Sequence, residues 1–598
     1  MPRLQVNAGQ FLVNELLPEE LRDYNRTFDK TGQAKLLRQV AEKYPDRYRE
    51  ISHALANLGR TVAYRTGGYS FGAKDLMPPP SVQAERVRLR EILQQIDEDD
   101  SLSDKDRELA VVKLMDELSQ RQSKQVFEEA KKAGNPLAMQ ILSGARGNQG
   151  SLSSLIASDL LYTDHRDRLI PVPILRSYSQ GLSPAEYWAG SYGARRGLIG
   201  TKLGVADTGY LAKRLIQAAH RLVITGLDAR TPPETLRGLP VDLDDPDNEG
   251  ALLAAPAGPY ERNTILTPKV LKALKKARVK RLLVRSPITG GNGDGGLYAR
   301  DVGVREFGRL PDLGSEVGIT AAQALSEGVS QMSLGSKHAG GVAGGTAPSI
   351  AGFAAIDQLV QVPKSFQGGA THAERDGLVE AIRESPAGGW DITVDGEKHY
   401  VPTGYALKVK QGDHVEAGDV LSDGLPNPGA IVRHKGIGDG RRYFTKIFGD
   451  AVRDTGLKAN RRNVELVARG LIDHVRLTEE RGDYGPDDIV PYRLVERSYK
   501  PRDNSVALEP KQAVGRYLEK PYLHYTIGTK VRRSMLPDFK DFNVAELVVN
   551  DNPPPFEPVM VRSADNLNYD PDWMTRLFGS NAKSNLLNSV RRGGYSSE

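Results

Sequence analysis

The chain has 598 residues, 39% of them apolar, with 81 Lys and Arg against 76 Asp and Glu for a net charge of +5. At roughly 150 residues per domain this predicts about four domains, and the balance excludes a disordered chain while permitting nucleic-acid binding. Cysteine is absent, which excludes disulfides, thiol nucleophiles and cysteine-ligated zinc; no apolar run reaches the roughly 18 residues of a membrane span and no secretory signal opens the chain, so it reads as soluble and intracellular.

Residues 1–80 carry a helical stretch near 33–58 and end at Pro78-Pro79-Pro80, a stiff boundary. Over 81–133 apolar residues recur at helical spacing among charges, interrupted at 97–104, which predicts a helical hairpin with Ser103 or Asp104 as a cap. It reads equally as a solvated arm or a protein-docking element. Residues 134–181 contain Ser143-Gly144-Ala145-Arg146-Gly147. Residues 182–220 form the longest helical segment, opening at Ser183-Pro184, with Gly190, Gly193, Gly197, Gly200, Gly204 and Gly209 on one broad face. Each interior glycine costs about 0.5–1 kcal/mol, so such a helix is held by its surroundings, and a bare face admits another backbone or a nucleic-acid strand. A loop with a short helix is the competing reading.

Residues 221–310 alternate short strands with glycine-rich turns. The run Gly290 to Gly296 lacks the Gly-Lys-Ser/Thr ending of a phosphate loop and reads as a connector. Residues 311–363 give a helix at 314–334, a glycine-rich loop and a second helix at 350–359, the layout of a segment that folds over a site. Gln331, Leu334 and His338 share one helical face if the first helix extends that far. Strand pattern over 390–425, within 364–435, predicts a small β-barrel. Helical periodicity returns over 440–475, within 436–500, where Arg461, Arg462, Arg469 and Arg476 read as a solvated face or a nucleic-acid wall. The tail, 501–598, offers no chemistry. The fold class is multidomain α+β.

Several of these segments together resemble one family. Asn14-Glu15-Leu16-Leu17-Pro18 and the run Arg65 to Leu76, Ser143 to Gly147, Tyr192 to Leu198 with Ala206 to Leu215, Glu316 to Gln323 with Gln331 and His338-Ala339-Gly340-Gly341, and Gly418 to Gly424 with Asn427-Pro428 and Gly456 to Asn460 are similar, in order, to the C-terminal half of the β′ subunit of multisubunit DNA-directed RNA polymerases. The resemblance covers roughly 8–500. It implies a β′-like architecture: a segment following an absent catalytic domain (1–80), rim-helix-like hairpin (81–133), F-loop region (134–181), long bridge helix (182–220), a region without the family's zinc site (221–310), trigger loop (311–363), small β-barrel (364–435) and helical C-terminal region (436–500). By the same resemblance Arg146, Arg195, Arg196, Val205, Ala206, Tyr210, Lys213 and Arg214 meet nucleic acid. Gln331 faces the nucleotide sugar, Leu334 packs on the base and His338 reaches the phosphates, where imidazole donates a proton or a hydrogen bond near neutral pH.

The chain also departs from the family. Nucleotidyl transfer uses carboxylates that hold two magnesium ions about 4 Å apart, and the family's Asn-Ala-Asp-Phe-Asp-Gly-Asp motif is absent here. Mg2+ is therefore expected mainly on a partner chain, a β′ N-terminal-like subunit, with β-like chains, template DNA, nascent RNA and nucleoside triphosphates as further partners and no membrane. No zinc is expected, since Ala229, Gly290, Tyr298 and Asp301 stand where the cysteines would be; packing or a partner must hold that region. The family's Met-Arg-Thr-Phe-His reads Leu334-Gly335-Ser336-Lys337-His338, and Gly204-Val205 replace a Lys-Thr pair. A start beside the missing catalytic domain implies a gene split as in large bacteriophages, acting in the host cytoplasm, with virion packaging open. Two function classes remain: a polymerase subunit that supplies bridge helix and trigger loop, and a non-catalytic polymerase-derived binding or virion structural protein.

Overall fold

Short polar caps write the helix starts of this chain. Asp29, Ser103, Asn135, Asn148, Thr267, Asn427, Asn460 and Asp572 each accept a backbone N–H from the first turn that follows, and after Asn135, Thr267 and Asn427 a proline takes the first helical position, where its missing N–H costs nothing. The computed structural model describes residues 6–26, 28–68, 70–162, 170–202, 204–229, 234–292, 295–305, 308–335, 353–363, 366, 368–386, 388–454 and 459–593. The chain divides into two compact units, 1–204 with 334–347, and 205–333 with 348–598.

The first unit is built on helices. Pro80–Asp97 and Asp104–Lys132 form an antiparallel pair, in which Ser81 at the start of one donates to Glu129 near the end of the other at 2.6 Å. Leu89 and Met115 are buried between them, and of the two candidate caps it is Ser103 that accepts from the Asp106 N–H at 3.2 Å. The helix Pro184–Lys202 opens with a capping box: Glu186 N–H donates to Ser183 Oγ at 3.3 Å while Ser183 N–H donates to Glu186 Oε2 at 2.7 Å. Glu186 also accepts the N–H groups of Leu175 and Arg176, which ties the incoming strand of chain to the helix start.

In the second unit the helices Gly204–Ala219, Val317–Gly335, Phe353–Gln361, Ile437–Asp454 and Arg461–Leu471 bury one shared apolar core that includes Leu211, Leu215, Ala322, Leu325, Ile356, Phe444, Phe448 and Val467. The region expected as a small β-barrel holds a half-barrel. Glu397–Val401, Trp390–Val394, Gly377–Glu384 and His414–Val415 form, in that order, an open antiparallel sheet, extended to a half-barrel by the bridges His372 to Val420 and Leu407 to Ser422. Its longest strand lies at 377–384, before the expected 390–425 strand pattern, where the exposed Glu380, Arg383 and Glu384 mask the apolar residues in the sequence. The tail is likewise folded: Val506–Leu508, Leu547–Asn550 and Tyr517–Leu518 form a sheet over Phe539 and Leu523, and Phe556–Val559 joins His474–Leu477 and Ile489–Pro491 in another.

An ion cluster holds the 221–310 region together. Arg285, 8% exposed, donates through Nε to Asp301 at 2.9 Å, through Nη2 to Asp228 at 2.7 Å and through Nη1 to Asp228 at 2.8 Å; Arg300 donates to Asp228 at 2.8 Å. Burial pulls the Arg285 guanidinium down, but Asp228 and Asp301 outweigh it and hold it above its ordinary value. Burial likewise opposes the charge of Asp228, and bonds from Arg285 and Arg300 prevail, holding its carboxyl well below the usual range. Arg285→Met leaves the buried Asp301 without its cation and is expected to cost about 3–5 kcal/mol in urea unfolding; a loss under about 1 kcal/mol would show that packing alone holds the region.

His474 sits 3% exposed on the His474–Leu477 strand, its Nδ1 without a hydrogen-bond partner and its ring edge-on to Tyr569 at 6.0 Å. Burial pushes its pKa down to about 4. Below the unfolded value of about 6.5 the unfolded chain takes a proton that the folded chain refuses until about 4, so stability is complete above 6.5 and declines as pH falls. Between pH 7.5 and 5.0 the wild type is expected to lose about 2 kcal/mol more than His474→Phe in urea unfolding; equal losses would contradict this account.

Candidate nucleic-acid interface

The helix Gly204–Ala219 carries its two functions on opposite sides. Leu211, Leu215 and Ala219 are buried, whereas Ala206, Tyr210 and Lys213, four and three residues apart and hence on one face, are exposed, Tyr210 to 48%. Gly209 is exposed beside them, and a Cβ added there would meet nothing within 4 Å. Arg214 does not join this face. It is 2% exposed, stacks its guanidinium 4.4 Å over the Tyr210 ring and donates Nη2 to Asp357 Oδ1 at 2.7 Å on Phe353–Gln361. Its charge is engaged in an internal ion pair.

Two glycines set the approach of the neighbouring helices. A Cβ on Gly318 would lie 2.1 Å from the Ala219 carbonyl oxygen, and one on Gly470 would lie 2.3 Å from that of Ala218. Val317–Gly335 and Arg461–Leu471 therefore touch the C-terminal turn of Gly204–Ala219 backbone to backbone. The side chains of Gln331 and Leu334 near the end of Val317–Gly335, and the whole of His338, lie outside the described residues, as do the side chains of Arg196 and Val205. Of the remaining expected contacts, Arg195 is exposed on Pro184–Lys202 and Arg146 is exposed in the turn after Pro136–Leu142, both in the first unit.

Arg461, Arg462 and Arg469 are neither a solvated face nor a nucleic-acid wall. Arg461 pairs with Asp245 and with Glu465, Arg462 is 6% exposed and donates to the Glu249 carbonyl at 3.0 Å, and Arg469 is 7% exposed. Only Arg476 of that set is exposed. Among the described residues no group of three or more His, Asp or Glu side chains is placed to hold a metal ion, and no helix is long and apolar enough to cross a membrane.

The family model described as RNA polymerase Rpb1, domain 5, matches residues 181–373, a stretch that contains the exposed Ala206–Tyr210–Lys213 face, Gly318 and the Arg214–Asp357 pair. The chain is 28% identical over 533 residues to the DNA-directed RNA polymerase subunit beta' of Pelotomaculum thermopropionicum, covering 83% of this chain and 43% of that one. It is 29% identical over 529 residues to that of Moorella thermoacetica, covering 82% and 44%, and 27% identical over 537 residues to that of Desulforamulus reducens, covering 85% and 44%. Over 82–85% of its length the chain is thus similar to bacterial β′ subunits. It spans less than half the length of these relatives.

Sequence reasoning missed Asp357 and the steric role of Gly318 and Gly470. A glycine inside a helix was the available signal for both, since its cost demands a compensating close approach. Gly318→Ala is expected to lower stability by about 1–3 kcal/mol through overpacking, whereas Gly209→Ala, facing open space, is expected to be neutral or to stabilise by up to about 1 kcal/mol. Urea unfolding of the two variants side by side checks this, and equal effects would contradict the assigned packing.

Proposed function

We propose that this chain supplies the helix and loop that align template and incoming nucleotide in a DNA-dependent RNA polymerase, with the magnesium-holding aspartates on a partner chain. The observation that carries this reading is the Rpb1 domain 5 match over 181–373, which falls on the exposed helix face and on the glycine-rich segment with His338. On this reading residues 182–220 act as the bridge helix, with Ala206, Tyr210 and Lys213 along the nucleic acid and Gly209 allowing a base or backbone to come close. Arg146, Arg195, Arg196 and Val205 add contacts, the arginines holding phosphates without reading sequence. Arg214 positions the helix through Asp357 rather than touching nucleic acid.

The segment 311–363 acts as the trigger loop. Gln331 meets the sugar, Leu334 the base and His338 the triphosphate, where the imidazole donates a hydrogen bond or a proton as the RNA 3′-hydroxyl attacks the α-phosphate and pyrophosphate leaves. Magnesium, when bound by the partner's carboxylates, neutralises the phosphates and aligns the attack. Other polymerase subunits, template DNA, RNA and nucleoside triphosphates are the partners, and the host cytoplasm is the setting. A non-catalytic polymerase-derived scaffold is favoured by the loss of the family's arginine within Leu334-Gly335-Ser336-Lys337-His338 and by that of the zinc ligands at Ala229, Gly290, Tyr298 and Asp301.

Single-nucleotide addition by the assembled polymerase separates the two. His338→Ala is expected to slow addition by on the order of 100-fold or more while assembly is retained. An unchanged rate in the variant would leave the scaffold reading.

A further inference from the structure

Beside the ion cluster, the turn 289–292, the helix Arg461–Leu471 and the segment 493–497 enclose a cleft of about 270 Å³. Six arginines line it, Arg237, Arg262, Arg285, Arg469, Arg493 and Arg497, against three carboxylates, Asp228, Asp301 and Glu496. The carboxylates are engaged already: Arg285 holds Asp228 and Asp301, and Arg237 Nη1 donates to Glu496 at 2.6 Å.

Arg469 has no direct counter-ion among the described residues and shares the field of Asp473 with Arg441 and Arg493. It is 7% exposed and donates Nη1 to the Ile288 carbonyl at 3.0 Å, yet among the described residues no carboxylate lies within 4.0 Å of its guanidinium. Asp473 close by is shared between Arg441 at 2.8 Å and Arg493 at 2.5 Å. The Nε atoms of Arg237 and Arg493 are buried without a hydrogen-bond acceptor. Burial, and next the adjacent Arg469, push Arg441 down to about 9, a sign of crowded positive charge. Buried guanidinium groups call for a counter-charge, and their planar forks match the geometry of a tetrahedral oxyanion.

We propose that this cleft binds a phosphate group, held by Arg237, Arg469 and Arg493. The ligand is either free inorganic phosphate or the phosphate of a nucleotide. The inference stands apart from the nucleotide-addition reading, since none of these residues belongs to the segments assigned to that task.

Isothermal titration of the full chain with inorganic phosphate, AMP and ADP in separate arms, each against chloride at matched ionic strength, tests it. One saturable site is expected for phosphate, weakened tenfold or more by Arg469→Met and by Arg493→Gln. Arg469→Met should keep or raise its urea midpoint in chloride, because it removes a buried charge that has no direct counter-ion. Should Arg469→Met fail to fold, Arg493→Gln and Arg262→Ala, the latter exposed at the rim, carry the test. Tighter binding of AMP or ADP than of phosphate identifies a nucleotide, and equal or weaker binding identifies free phosphate. No saturable heat at millimolar concentration in any arm, or affinities unchanged in every variant, would overturn the proposal.

Discussion

The contact on which the second unit depends is the backbone approach at the end of Gly204–Ala219. Gly318 and Gly470 bring two helices against the Ala218 and Ala219 carbonyls at distances no side chain would allow. With those helices so close, Leu211 and Leu215 turn inward onto Ala322, Leu325 and Val467, and each leucine so buried contributes about 1.5–3 kcal/mol. The opposite face, with Ala206, Tyr210 and Lys213, is left outward as a consequence. The exposed face is thus a product of the core beneath it, and Arg214 with Asp357 fixes the helix to Phe353–Gln361 from the side.

Arginine in this unit serves mainly as an internal cross-link. The guanidinium groups of Arg285, Arg441, Arg461 and Arg462 donate to carboxylates or carbonyls of distant segments, and Arg441 is only 1% exposed. In a chain with no cysteine, multidentate guanidinium groups provide links between strands and helices that are geometrically specific, each arginine offering five donors in a fixed fork.

Local signals were legible in the sequence where one short motif decides the conformation. Helical spacing over 81–133 with a polar break corresponds to Pro80–Asp97 and Asp104–Lys132, and Ser183-Pro184-Ala185-Glu186 is written as the capping box that opens Pro184–Lys202. Long-range pairing was not legible. Nothing near Arg214 announces Asp357, 143 residues away, and Arg461, Arg462 and Arg469 fall on a charged helix whose partners come from the 245–249 and 288 turns. The strand Gly377–Glu384 was not legible because its exposed charges hide the alternation. For the candidate site, Ala206, Tyr210 and Lys213 are exposed on one face, whereas of the glycines read as one bare face Gly193 is buried and Gly190 lies against Tyr162, and His338 lies outside the described residues.

Whether the chain works as part of a template-directed polymerase is tested most directly by its purification under a tag from the cells that make it, followed by primer extension on a DNA template with magnesium. The account predicts RNA whose sequence follows the template, together with a co-purifying polypeptide that carries the Asn-Ala-Asp-Phe-Asp-Gly-Asp motif. A purified chain that comes down alone, or with structural proteins only, and extends no RNA would contradict it.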